Sequence, residues 1–359
     1  MHDGSAPTAL QKLPGRETTP PPTPSVCSTG APRKEFAIAA IETPLPMLAQ
    51  SKGKLYVLEA DKSAVRSGAR PPEPLVLHVN VGDCLLIRLR NETAAPVSLH
   101  ADMLAKDPKD SLGVSAGVNP SQVIAPDQTR TYTYFAHPDL GETAVLVRDW
   151  GNVVENPGLG LYGAIIVGPR GATYSHPVTG EDMSLKAGWR VDVHPPSGRS
   201  YRDFALLIQD HDEVIGTALM PYNEHVKGVV GLNYRAEPVQ GRRAEDPRIS
   251  TPLLETFAGD RARIHVVVPF SEQSHVFSLE GHRWPLEPDR PGTLMLSSVK
   301  VGAMEALTLK VEAGGESASA GDYLYGDHRE PYREAGLWGV FRVHEPGAQG
   351  VSIRPLPTQ

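Results

Sequence analysis

Histidines with acids close by occur in two parts of the chain. His100, Asp102 and Asp149 lie in the first half, and His275, Glu280, His282, Asp327 and His328 in the second. Imidazole nitrogens and carboxylate oxygens together can hold one manganese, iron, copper or zinc ion, and the same groups can accept and return protons. Both sets belong to a pattern that occurs twice. One copy reads Gly82-Asp83, His100, LVRDW around Asp149, then Gly160-Leu-Tyr-Gly163 ahead of AIIV. The other reads Gly259-Asp260, His275, YLYGDH ending at His328, then Gly336-Leu-Trp-Gly339 ahead of VFRV. The run from His100 to Gly160 is 60 residues and that from His275 to Gly336 is 61, which predicts one domain type used twice.

Other motifs carry less. Gly158-Leu-Gly160-Leu-Tyr-Gly163 has the letters of a dinucleotide fingerprint, but a β-branched run stopped by Pro169 follows it, where that fingerprint needs a helix to hold the pyrophosphate. Gly113-Val-Ser115-Ala-Gly117 matches a nucleophile elbow, yet no apolar strand leads into it and Pro120 follows closely. Asn91-Glu-Thr93 is a glycosylation sequon that matters only in a secreted eukaryotic chain. His211, Glu213, Glu224 and His225 offer metal-ligand types after the strand-like FALLIQD, in a stretch whose ordinary reading is a solvated loop. Cys27 and Cys84 are the two cysteines. They either pair in an oxidising compartment, closing a long loop, or remain two unrelated thiols. Neither lies near a histidine cluster.

The elements that must position these residues are strands. Leu75, Leu77, Val79 and Val81 alternate with Val76, His78 and Asn80, while Ile87 and Leu89 alternate with Arg88 and Arg90; both runs read as half-buried strands. Ala262, Ile264, Val266 and Val268 alternate in the same way with Arg261, Arg263 and His265. The 34 glycines and 34 prolines are spread through the body of a 359-residue chain, which suits short strands joined by turns. The fold expected is all-β, two Greek-key sandwiches or barrels. Residues 1–34 form a Pro/Thr/Ser-rich tail with too few large apolar residues to order. The domains are expected at 35–170 and 198–346, with a linker over 171–197 and a tail over 347–359. A net charge of −7 without a basic run excludes nucleic acid as a partner. No apolar run is long enough to span a membrane, and MHDGSAPTALQKL lacks the apolar centre of a signal peptide.

The second copy resembles the multicopper oxidase family. His275-Val-Phe-Ser-Leu-Glu-Gly-His282 is similar to that family's HPxHLHGH segment, and Ala320-Gly-Asp-Tyr-Leu-Tyr-Gly-Asp-His328 with Gly336-Leu337 is similar to its G-x-W-x-x-HCHxxxHxxxGM segment. In the first copy VSLHAD resembles the first HxH of the family. VCSTGAP with VNVGDC resembles the closing portion of large bacterial manganese-oxidising types. The resemblance covers about 25–345 and implies two packed cupredoxin domains. It also places the blue-copper cysteine on Asp327, the following histidine on Tyr332 and the axial methionine on Leu337, leaving His275 alone, so no copper–thiolate bond is expected. The eight trinuclear positions fall on His100, Asp102, Val147, Asp149, Ser278, Glu280, Gly326 and His328, which cannot hold three coppers.

If the domains pack as the resemblance implies, His100 and His328 approach each other with Asp102, Asp149 and Glu280 nearby. The expected function is then a metal-dependent oxidoreductase with one non-blue metal at the domain interface, copper by family and manganese or iron as alternatives, without a nucleotide. His100, His328, His275, His282, Asp102 and Asp327 are the candidate ligands. Asp149 and Glu280 are the candidate proton acceptors, with Trp150, Tyr325 and Tyr332 as aromatic neighbours. The alternative is a non-catalytic cupredoxin scaffold or binding module that has lost its copper, its remnant residues hydrogen-bonded to each other. Partners expected are a small molecule or another protein, and the family's ring-forming members make a homo-oligomer compatible with either reading. The family analogy points to an extracytoplasmic setting.

Overall fold

Two sets of alternating strands pair in the same order in each half of the chain. The computed structural model describes residues 26–48, 52–210, 229–237, 250–288 and 290–357. The first half makes two four-stranded sheets. One runs Lys52–Leu58, Arg33–Pro44, Cys84–Glu92, Thr129–Phe135, and the other Leu75–Asn80, Tyr162–Gly168, Thr143–Arg148, His100–Ala101. In the second half Ala306–Glu312, Arg261–Phe270, Tyr201–Asp210, Arg190–His194 and Thr173–Ser175 form one sheet, with Val230–Leu232 beside Tyr201–Asp210. Leu253–Phe257, Trp338–His344, Gly321–Asp327, His275–Leu279 and Ser298–Val301 form the other.

Each half therefore contains the same two parallel pairs inside an otherwise antiparallel sandwich. Arg33–Pro44 lies parallel to Cys84–Glu92 as Tyr201–Asp210 does to Arg261–Phe270, and Leu75–Asn80 lies parallel to Tyr162–Gly168 as Leu253–Phe257 does to Trp338–His344. This is the doubled architecture that the repeat predicts, and it is all-β. Two strands, Thr173–Ser175 and Arg190–His194, fall within 171–197 and extend the second domain's sheet, so this stretch supplies structure as well as a connection. Beyond 346, Ile353 is buried and the Arg354 amide donates to the Pro177 carbonyl, so part of the C-terminal stretch packs on the second domain.

The Gly-Leu-aromatic-Gly turns have a steric reason. Gly160 and Gly336 have φ of +105° and +127°, and a Cβ on Gly336 would lie 2.5 Å from the Glu237 nitrogen. Each turn feeds a strand at the centre of its sheet.

In the first sandwich Leu77, Val79, Ile87, Leu89, Val145 and Val167 fill the interior. Leu75–Asn80 differs from the half-buried strand expected: all six residues are buried. Val76 on its other face joins Leu146, Tyr162 and Ile166 in one apolar cluster with Ala205, Leu207 and Val267 of the second domain. The second domain covers the face that alternation alone assigns to water. Cys27 and Cys84 form a disulfide, with 5.6 Å between their Cα atoms, tying the chain before the first strand to the start of Cys84–Glu92. Asn91 is buried, donating to the Ala95 and Ile124 carbonyls, so the sequon serves the turn. No helix among the described residues is long and apolar enough to cross a membrane.

Candidate functional site

His275 opens its strand where the second domain's two sheets meet, and it is fully buried. Its Nδ1 lies 2.6 Å from Asp327 Oδ2 and its Nε2 lies 2.9 Å from Asp210 Oδ1, so both ring nitrogens face carboxylates. Tyr332 packs edge-on against the ring, with centroids 5.1 Å apart. Burial opposes a charge on the imidazole, but the hydrogen bonds to Asp210 and Asp327 outweigh it and push the pKa up to about 9. A pKa raised to about 9 favours the imidazolium at neutral pH, placed between two acids.

Ser271 Oγ also lies 3.1 Å from His275 Nε2, which completes the letters of a Ser-His-Asp triad. The arrangement cannot activate a nucleophile. A protonated imidazole has no lone pair to take the serine proton, and Ser271 already donates to the Gln273 carbonyl at 2.6 Å.

Asp327 does more than balance the histidine. Its Oδ1 accepts from the Val276 and Arg329 amides at 3.1 and 2.9 Å, fastening the strand Gly321–Asp327 to the start of its neighbour. Asp149 performs the same task in the first domain. Its Oδ1 accepts from the Ser98 amide at 2.5 Å, and its Oδ2 from the Asn152 amide and the Asn156 side chain at 2.8 and 2.9 Å. Burial pushes the Asp149 carboxyl up, against those hydrogen bonds. It sits where a clasp is needed, with both oxygens engaged.

Strand register refines the repeat. Gly163 pairs with Val147, whose neighbour Arg148 pairs with His100; Gly339 pairs with Tyr325, whose neighbour Gly326 pairs with Ser278. Aligned on these glycines, Asp149 corresponds to Asp327 and His100 to Ser278, three residues beyond His275. The equal spacing of the two histidines arises because the segment from Asp149 to Gly160 is two residues longer than that from Asp327 to Gly336.

The remaining candidates are dispersed among local partners. His100 donates from Nδ1 to the Leu112 carbonyl at 2.5 Å, and its Nε2 lies 2.8 Å from Asp102 Oδ1. Trp150 stands edge-on to this ring, with Arg148 stacked on the indole at 4.1 Å and reaching Met304 Sδ of the second domain. His328 is half-exposed and lies 3.4 Å from Glu280 Oε1. His282 is buried, donating from Nδ1 to the Glu280 carbonyl and accepting at Nε2 from the Gly314 amide, and burial pushes its pKa down. Tyr325 is buried with its hydroxyl on the Pro252 carbonyl, away from His100.

Among the described residues no group of three or more His, Cys, Asp or Glu side chains is arranged to hold a metal ion. The donor chemistry agrees at His275 and His282, whose ring nitrogens already have hydrogen-bond partners, whereas His100 engages only Nδ1 in this way and turns Nε2 toward Asp102. These residues do not fit a blue or trinuclear copper centre. The His211–His225 group lies outside the described residues. Sequence reasoning missed Asp210, which stands 65 positions from His275 and carries no local signal.

No protein-family model and no curated protein matches the chain. Solved structures do. One multicopper oxidase is similar over 87% of this chain and 89% of its own, at 17% identity and a TM-score of 0.55. A second covers 89% of this chain and 88% of its own, at 16% identity and 0.58. Copper nitrite reductase from Nitrosomonas europaea covers 89% of this chain and 98% of its own, at 17% identity and 0.58. Likeness at these identities establishes the fold alone, an all-β cupredoxin-type architecture.

Proposed function

We propose that the chain is a cupredoxin scaffold without redox copper, a binding or assembly module in which residues at former ligand positions hold protons and backbone amides. The observation that carries this reading is His275. With Nδ1 on Asp327 and Nε2 on Asp210, both nitrogens are engaged, and the imidazolium has no lone pair to offer a metal. Tyr332 and Leu337, where the resemblance puts the other ligands, are a buried phenol and a buried aliphatic side chain.

The second reading, a mononuclear metal-dependent oxidoreductase, draws on the exposed His328–Glu280 pair and on His100–Asp102. Elemental analysis separates the two. Protein reconstituted with copper, manganese and iron and then desalted is expected to retain only a small fraction of an equivalent of any of them, and to show no intense copper–thiolate absorption. Stoichiometric retention abolished by the double change His100→Ala and His328→Ala would overturn the scaffold reading and establish the other.

A further inference from the structure

The second domain's face that covers the first is apolar at one end and charged at the other. Along Arg261–Phe270 the residues pointing to the first domain are Arg261, Arg263, His265 and Val267, and along the neighbouring strand they are Tyr201, Asp203, Ala205 and Leu207. The apolar end closes against the first domain. At the charged end the two domains diverge into a cleft of about 540 Å³, bounded on the first domain by Glu142 and Pro169.

Four cations line this cleft, Arg199, Arg261, Arg263 and Lys310, against two carboxylates, Glu142 and Glu312. That excess of two positive charges stands on a chain of net charge −7. Arg263 is the fixed element. Its guanidinium stacks on Tyr201 at 3.9 Å and is ion-paired to Glu142 across the domain seam. Its cross-strand neighbour is Lys310, as Glu312 is that of Arg261. Arg199 and Arg261 are exposed at the mouth of the cleft, and neither forms an ion pair with a described residue. The Tyr201 hydroxyl likewise has no hydrogen-bond partner among the described residues, although the rest of the side chain is buried.

We propose that this seam cleft binds a small organic polyanion. Its phosphate or paired carboxylates would be held by Arg199 and Arg261, its body would rest against Tyr201 and Pro169, and the Arg263–Glu142 pair would form the floor. Guanidinium groups suit this task because their planar donors match carboxylate and phosphate oxygens in pairs. The volume accommodates a molecule of metabolite size. Because Glu142 and Pro169 come from one domain and the arginines from the other, an occupant would bridge the two. The site goes beyond the scaffold reading and does not depend on it, since no metal is involved.

Isothermal titration of the full chain with citrate, inorganic phosphate and pyrophosphate, at matched ionic strength, tests the proposal. Saturable one-to-one binding of at least one probe is expected, with an accompanying rise in melting temperature that sodium chloride does not reproduce. Citrate alone would mark a polycarboxylate site, and phosphate or pyrophosphate alone a phosphoryl site. The double change Arg199→Ala and Arg261→Ala should weaken binding at least tenfold while leaving the unliganded melting temperature within a few degrees, because both side chains are exposed; Arg261→Glu alone should do the same. No saturable binding of any probe by the unaltered chain, or undiminished binding by these variants, would overturn the assignment.

Discussion

Stability should fall as pH rises through 9, and His275 sets the size of the effect. The imidazole titrates at about 9 in the folded chain against 6.5 for the free side chain, so the folded state holds the proton more tightly than the unfolded state. The stabilisation is therefore fully present below pH 6.5 and is lost as pH climbs through the folded value. A tenfold difference in proton affinity between the two states is worth about 1.36 kcal/mol, which makes the contribution about 3 kcal/mol between the two limits. The side chain is wholly buried, so solvent screening removes little of it. Lys34 and Lys106, which burial holds below the usual lysine value, act in the opposite sense, but only nearer the lysine range.

Urea unfolding of the intact chain across this range reads the effect directly. Asp210→Asn removes one of the two negative charges that hold the proton, so the folded-state pKa of His275 should drop and the pH dependence should flatten. The loss on going from pH 6.5 to 9 should be distinctly smaller in the variant than in the unaltered chain. Long-range ¹⁵N spectra of the imidazole add an independent readout, with both nitrogens protonated at pH 7. A neutral ring at that pH, or identical slopes for the two proteins, would refute the assignment of His275 as a buried cation.

Two further outcomes follow from the backbone. Reducing the Cys27–Cys84 disulfide, which spans 57 positions, removes a cross-link worth about 4 kcal/mol on chain-entropy grounds, so the melting temperature should fall in reductant and the Cys27→Ser variant should match the reduced protein. Gly336→Ala introduces a Cβ against the Glu237 nitrogen at a φ of +127°, and should cost about 1–3 kcal/mol in denaturant unfolding, whereas the same change at Gly259, with no atom within 4 Å of the added Cβ, should cost less.

The doubled fold was legible in the sequence because strand period and turn chemistry are local. Alternation in Cys84–Glu92 and Arg261–Phe270 depends only on neighbours two residues apart, and Gly160 and Gly336 mark turns that a side chain would obstruct. The destination of a strand's second face was not legible. Val76 and His78 look like the outer residues of a half-buried strand until the second domain covers them, and the cysteine pair needs the distance between two strand ends. The acid partners of His275 illustrate the same limit. Asp327 enters through the motif match, but Asp210 lies in a different sheet and reaches the ring only when the sandwich closes.

Spacing misled where two differences cancelled. His100 and His275 look equivalent because an offset of three residues before the strand is nearly balanced by two extra residues after Asp149, yet register aligns His100 with Ser278. The acids are what the two domains share. Ser98 and Val276 occupy matching positions, and each donates its amide to the matching aspartate, Asp149 or Asp327. An aspartate there offers lone pairs enough for strand amides and for one further partner. In the first domain that partner is Asn156, and in the second it is His275. A cysteine at Asp327 would leave His275 facing Asp210 alone and would strip two amides of a good acceptor, so the second domain's acid is integral to its present packing. On the scaffold reading proposed above, Asp149, Asp327 and His275 act as clasps between strands, with the His275 proton balancing the second domain's two acids.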